Sequence, residues 1–183
     1  MNTPVNFGSA PDLSDCQFSV GDNNRSMTGA HTTLFLDFDG VTHPLHCHES
    51  KQFSCLAGIE DTLRRFPDVE VVISSTWRLQ YPLERLQEWF ATDIRCRVID
   101  VTPVASRLPS YPDRLVSFPR HHECWSWMRL YRQASDNWLA LDDRPFLFQP
   151  FFADVVPING RTGVDADALS ELRRRLLLKA KGR

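Results

Sequence analysis

One stretch, Thr32-Thr-Leu-Phe-Leu-Asp37-Phe-Asp39-Gly40, constrains the fold more than any other. Its apolar residues run on without the alternation of a half-exposed strand, which suits a strand buried on both faces. The strand reading covers Thr32–Phe38, and the run stops at two acids and a glycine. The same pattern recurs along the chain. Val69–Ile73 is a β-branched run ending in Ser74-Ser75-Thr76, and Trp138–Leu141 runs straight into Asp142-Asp143. Arg97–Val101 and Asp154–Ile158 complete five predicted strands.

Helical spacing fills the gaps. Leu56, Ile59, Leu63 and Phe66 predict one helix, closed by Pro67. Leu83, Leu86, Trp89 and Phe90 predict another, with Pro82 near its first turn. Helices are also expected at about 121–134 and over Asp165–Lys181, where Leu169, Leu172 and Leu176 share a face. Strands alternating with helices imply right-handed crossovers, hence an α/β fold: a Rossmann-like parallel sheet with helices on both faces. The Pro-rich segment 102–119 is expected to be a long loop near the functional edge.

The chain has 183 residues, 42% hydrophobic and 24% charged, which allows one domain with a real core and leaves little room for two. A net charge of −2 speaks against coating nucleic acid by bulk electrostatics. No run approaches the roughly 20 apolar residues of a membrane span. Residues 1–31, rich in Asn, Ser, Asp, Gly and Thr, are expected to be a disordered tail before a domain at 32–183, with Met27 as an alternative start. No signal-peptide pattern is visible there. Cysteines 16, 47, 55, 96 and 124 are odd in number and widely spread, which points to reduced thiols and a cytoplasmic location.

In parallel sheets ligands bind beyond the carboxyl ends of the strands. Asp37 and Asp39, Ser74, and Asp142 and Asp143 all stand at such ends and should converge. Four carboxylates in one crevice repel unless a cation sits among them, and oxygen-only ligands favour Mg²⁺ over zinc or copper. Such a cation attracts phosphate oxygens, so a phosphorylated substrate is expected. Asp37 could attack phosphorus, and Asp39 could protonate the leaving oxygen and later activate water. Gly40 permits a sharp turn there. Ser74 and Ser75 could hold phosphoryl oxygens while an arginine neutralises the developing charge.

Leu34–Val41 resembles the first motif of the haloacid dehalogenase (HAD) superfamily of phosphohydrolases, Val71–Ser74 its second, and Leu139–Asp143 its fourth. The resemblance implies a third-motif Lys or Arg at a helix start. No lysine lies between Ser74 and Asp142, and Arg120 is the choice, with Arg114 and Arg129 as rivals. The runs His43-Pro44, Phe66–Val69 through Ser74-Ser75-Thr76-Trp77-Arg78, and Trp138–Asp143 are similar to one branch, the HAD domain of Swiss Army Knife RNA repair proteins. That likeness implies a phosphatase domain with RNA ends as a candidate substrate. By the same resemblance Asp37, Asp39, Asp142 and Asp143 are the expected metal set. Roughly 15 residues separate Asp39 from the first helix, and 46 separate Ser74 from Arg120, so the likeness is to a capless or minimally capped member.

Ser75 and Arg78 are expected to contact substrate, the alternative for the latter being a packed Trp77 beside an exposed Arg78. His43, His46, Cys47, His48 and Cys55 match no zinc spacing and read as a solvated flap. Arg173–Arg175 with Lys179 and Lys181 read as the wet face of a terminal helix rather than an RNA contact. Two alternatives stand beside hydrolysis: a non-catalytic phosphate- or RNA-binding module, and a phosphotransferase.

Overall fold

A computed structural model describes residues 32–108, 115–132 and 137–181. The expected tail and Met27 lie outside the described residues, as does Arg114. The core is a five-stranded parallel sheet of β1 (Thr32–Leu36), β2 (Val69–Ile73), β3 (Val98–Val101), β4 (Asn137–Asp142) and β5 (Val155–Pro157), in the order β3-β2-β1-β4-β5. β1 is central and buried along its whole length, which is why its sequence does not alternate. From β1 the chain builds outward to β2 and β3, then returns to build β4 and β5 on the other side. The order therefore reverses between β1 and β4, where a ligand crevice opens in folds of this kind.

Helices cover both faces. On one, α1 (Leu56–Arg65), α2 (Leu83–Gln87), α3 (Thr92–Arg95) and α5 (Ala166–Lys181) pack Ile59, Leu63, Leu86, Ile94, Leu172 and Leu176 against Leu34, Leu36, Val71, Ile73, Leu139 and Leu141. On the other, α4 (Pro119–Tyr131) packs Cys124, Trp127 and Met128 against Phe35, Val72 and Ala140. The split follows from the pleat, which sends alternate side chains to opposite faces. No helix among the described residues is long and apolar enough to cross a membrane.

The helix expected over Leu83–Phe90 is shorter, ending at Gln87, and the next helix, α3, starts only at Thr92. α2 stops at Gln87, whose side-chain amide donates to Val98 O at 2.6 Å, and the Ala91 amide donates to Glu60 Oε1 of α1 at 2.7 Å. At Ala91 a tertiary bond thus takes the place of the helical one, while Phe90 still reaches the core. The basic face of α5 also differs from expectation. Arg174 is exposed and paired with Glu171, but Arg173 donates to Thr62 Oγ1 of α1 (3.0 Å) and Arg175 to Val155 O (2.8 Å), so these two fasten α5 to its neighbours.

No cap domain occurs among the described residues. Between Asp39 and α1 there is only a short 3-10 turn at Glu49–Lys51, and the elements between Ser74 and α4 belong to the sheet and its covering layer. Of the Pro-rich loop, residues 109–114 lie outside the described part. Its near end is tied to α4, where the Ala105 amide donates to Glu123 Oε1 at 3.1 Å.

Candidate active site

The strand register assembles the site. Leu36 stands level with Ile73 on one side and with Leu141 on the other. One residue further, Asp37, Ser74 and Asp142 are therefore side by side. The ladder continues that far, the Asp37 amide donating to Leu141 O at 3.1 Å and the Ser74 amide to Leu36 O at 3.0 Å. Leu34 and Leu36 face α1 and α5, and Phe35 faces α4, so alternation sends Asp37, Ser74 and Asp142 to the α4 side as well. There they meet Arg120, in the first turn of α4.

Arg120 Nη1 lies 2.9 Å from Asp142 Oδ2, 3.2 Å from Asp37 Oδ2 and 3.3 Å from Ser74 Oγ. All four side chains are buried. Burial works against the Arg120 charge, but Asp37 and Asp142 outweigh it and hold the guanidinium firmly cationic. Burial pushes the Asp142 carboxyl up to about 7, opposed by Arg120 and reinforced by Asp37. Asp143 is raised too, first by burial and then by Asp37. One arginine does not neutralise this group of acids.

Asp37, Asp142 and Asp143 each bring a carboxylate oxygen within 4.8 Å of the others. Asp143 Oδ1 is buried and accepts no hydrogen bond among the described residues, with Arg144 Nε 3.8 Å away. A buried carboxylate oxygen without a donor, beside two further carboxylates, fits a hard divalent cation. The all-oxygen donor set selects the same class of ion. Gly40, at φ +72°, makes room for the Asp143 carboxylate: a Cβ there would fall 2.6 Å from Asp143 Oδ2.

Asp39, expected in the metal set, has its carboxylate outside that cluster. Its Oδ2 accepts from Trp77 Nε1 at 2.9 Å, and its Oδ1 lies 3.3 Å from His43 Nε2. Ser75 is buried, and its Oγ accepts from the Trp77 amide at 3.4 Å, capping the 3-10 turn Thr76–Leu79. Arg78 is neither exposed nor turned to the crevice. Its side chain is only 3% exposed, donates to the carbonyls of Ser74 (2.6 Å), Ser75 (2.8 Å) and Thr102 (3.0 Å), and pairs with Glu123 at 2.8 Å. Burial lowers its pKa and Glu123 opposes that. It holds the β2 exit in shape. The rival Arg129 is exposed and lies over the Trp125 ring, away from the acids.

Three residues join the site that sequence reasoning did not assign to it. His43 is not in a solvated flap: it is buried, hydrogen-bonded to Thr42 Oγ1 (3.0 Å) and set against Asp39. Trp77, in the 3-10 turn after β2, donates to the same acid. Glu123, one turn after Arg120, links Arg120 (3.5 Å) to Arg78. Only the i+3 spacing of Glu123 from Arg120 was visible in advance. His48 caps the 3-10 turn and Cys55 faces Thr162 O, so neither joins a metal cluster among the described residues.

An open parallel sheet with acids at its switch point and an arginine at the facing helix start defines an α/β protein with a ligand site at the carboxyl edge of its sheet. The model of the family described as the HAD domain in Swiss Army Knife RNA repair proteins matches residues 33–169, and the chain belongs to that family. A search of the curated proteins and of the solved structures finds no match. Membership brings a phosphohydrolase type of function, and the acid cluster is compatible with the divalent ion such domains use.

Proposed function

We propose that the protein is a Mg²⁺-dependent phosphohydrolase that cleaves phosphate monoesters through an aspartyl-phosphate on Asp37. The observation that carries this is the register-matched meeting of Asp37, Ser74 and Asp142 around Arg120. Asp37, Asp142 and Asp143 would hold the Mg²⁺. When bound, the ion neutralises the acids and favours phosphate oxygens in the crevice.

Asp37 attacks phosphorus with one carboxylate oxygen; the new O–P bond forms as the bond to the leaving alcohol breaks. Asp39 gives the alcohol oxygen its proton. Arg120 and the Ser74 hydroxyl hold phosphoryl oxygens and stabilise the charge spread over them. Asp39 then takes a proton from water, whose oxygen attacks phosphorus. The Asp37–phosphorus bond breaks, giving inorganic phosphate and restoring both acids.

The family's name supports phosphorylated RNA ends as the first substrate class to try, and the lack of a cap domain among the described residues suits a polymer end. Cys47, Cys55 and Cys124 are free thiols, which suits a reducing, cytoplasmic setting. A non-catalytic binding module would be favoured by a missing third-motif cation. With Arg120 against Asp37 and Asp142, that alternative has no observation behind it, and none singles out a phosphotransferase. The test is release of phosphate from an aryl phosphate and from 3′- and 5′-phosphorylated oligonucleotides, with Mg²⁺ and with EDTA. Turnover that needs Mg²⁺ and vanishes in Asp37→Asn is expected; turnover surviving that substitution overturns the proposal.

A further inference from the structure

The Asp39 carboxylate has a separate partner on each oxygen, and the two partners come from different parts of the chain. His43 stands four residues downstream, on the loop after β1. Trp77 comes from beyond β2, 38 residues away in sequence. Asp39 itself is 40% exposed at its side chain, so its carboxylate stays accessible while it is held by these two partners.

The indole is not free to follow a moving acid. Its ring meets Phe38, Phe53 and Trp89 edge-on, at centroid distances of 5.9, 5.5 and 5.0 Å and interplanar angles near 80°. Phe53 is in turn stacked on Trp89 at 4.9 Å. Edge-to-face packing on several sides fixes the ring plane and with it the direction of the N–H. An indole N–H is a donor only. It can orient a carboxylate but can neither take up nor pass on the proton that carboxylate handles.

We propose that Trp77 is a positioning residue that holds Asp39 in the rotamer from which it protonates the departing alcohol. This rests on the hydrolase mechanism above. Asp39 must present one oxygen to the leaving group at the moment the ester bond breaks, and an acid about 40% exposed would otherwise sample several rotamers. A hydrogen bond from a packed indole, a donor to the acid in either protonation state, removes that freedom.

The consequence depends on the leaving group. An alkyl alcohol is a poor leaving group and needs its proton as the bond breaks, whereas an acidic phenol leaves with little help. The test compares kcat/KM for an alkyl phosphate and for an aryl phosphate of an acidic phenol, with Mg²⁺ present. For each ester kcat/KM reports the steps up to departure of the alcohol, so hydrolysis of the phospho-enzyme does not enter. Trp77→Phe keeps an aromatic ring and removes the N–H. The expected result is a fall of about 10- to 100-fold on the alkyl ester and about 3-fold or less on the aryl ester. Trp89→Phe, which disturbs the same aromatic cluster without touching Asp39, should leave the ratio of the two unchanged. If Trp77→Phe does not fold, a benzothienylalanine at position 77 removes only the donor and should give the same selective loss.

Equal losses on both esters, or none, overturn the role of Trp77 while leaving the hydrolase reading in place. Absence of turnover by the unaltered protein on every ester overturns that reading, and this one with it.

Discussion

Arg120 Nη1 and Asp142 Oδ2 stand 2.9 Å apart, both side chains buried. Removing two such charges from water costs several kcal/mol each, and a close pair offsets this only when its remaining hydrogen-bonding capacity is met. Here it is partly met: Asp142 Oδ1 accepts from the Arg144 amide at 2.8 Å, and Arg120 also reaches Asp37 and Ser74. The residual charge is negative, because Asp37 and Asp143 crowd the same arginine and the same carboxyl.

Replacing Arg120 should therefore be severe. Arg120→Met leaves Asp37 and Asp142 buried without their common cation, a loss of about 3–5 kcal/mol in metal-free protein. Added Mg²⁺ should recover part of it, since a dication among the acids supplies the missing charge, but turnover should stay low without the guanidinium on the phosphoryl oxygens. Urea unfolding of wild type and variant, in EDTA and in Mg²⁺, measures both effects. A metal-free loss below about 1 kcal/mol would contradict the buried-pair account.

The raised Asp142 carboxyl gives a pH dependence of defined sign. Its folded value, about 7, exceeds the roughly 3.9 of an unfolded aspartate, so between these pH values the folded chain binds the extra proton. In metal-free protein this group's contribution is fully present below about pH 4 and is lost as pH rises through about 7. Because other groups titrate too, the measurement is a difference. Asp142→Asn should gain stability relative to wild type on going from pH 5 to pH 8 in EDTA. The two unfolding curves shifting in parallel would sink the prediction.

How much of this was legible in advance follows from what each feature depends on. The acid-ended strands were readable because a buried parallel strand has a continuous apolar signature and because polar residues there mark its carboxyl end. The register that puts Asp37 level with Ser74 and Asp142 then follows from sheet geometry. Trp77 and His43 were not readable as partners of Asp39: one lies in a four-residue 3-10 turn and the other in irregular backbone, both too short for a period to predict direction. Arg78 was misjudged because arginine is usually exposed, and its buried partner Glu123 lies far along the chain. The helix expected through Trp89 and Phe90 stops early where Glu60, remote in sequence, takes the Ala91 amide that would continue the helical ladder.

The separate placement of the two motif acids predicts that they divide binding from chemistry. Asp142 is in the three-carboxylate cluster, whereas the Asp39 carboxylate is held by Trp77 and His43. Asp142→Asn should weaken Mg²⁺ binding by tenfold or more. Asp39→Asn should leave it within about 3-fold while lowering turnover by about 10²- to 10⁴-fold. Calorimetric titration with Mg²⁺ beside steady-state rates reads both quantities. A tenfold loss of Mg²⁺ affinity in Asp39→Asn would place its side chain among the ligands after all.

Two glycines offer a controlled comparison at the acid cluster. Gly40 and Gly163 adopt nearly the same left-handed backbone, φ +72° and +71°. Alanine at either should cost about 1–2 kcal/mol through that conformation. Their surroundings differ. A Cβ at Gly40 meets Asp143 Oδ2 at 2.6 Å, whereas at Gly163 it meets Cys55 Sγ at 2.9 Å and Val41 O at 3.1 Å. Gly40→Ala must therefore push the Asp143 carboxylate aside and should lower Mg²⁺ affinity together with stability. Gly163→Ala should lose stability alone. Thermal unfolding gives the common backbone cost, and Mg²⁺ titration gives the part specific to Asp143. Equal Mg²⁺ affinity in the two variants would mean that Asp143 takes no part in holding the ion.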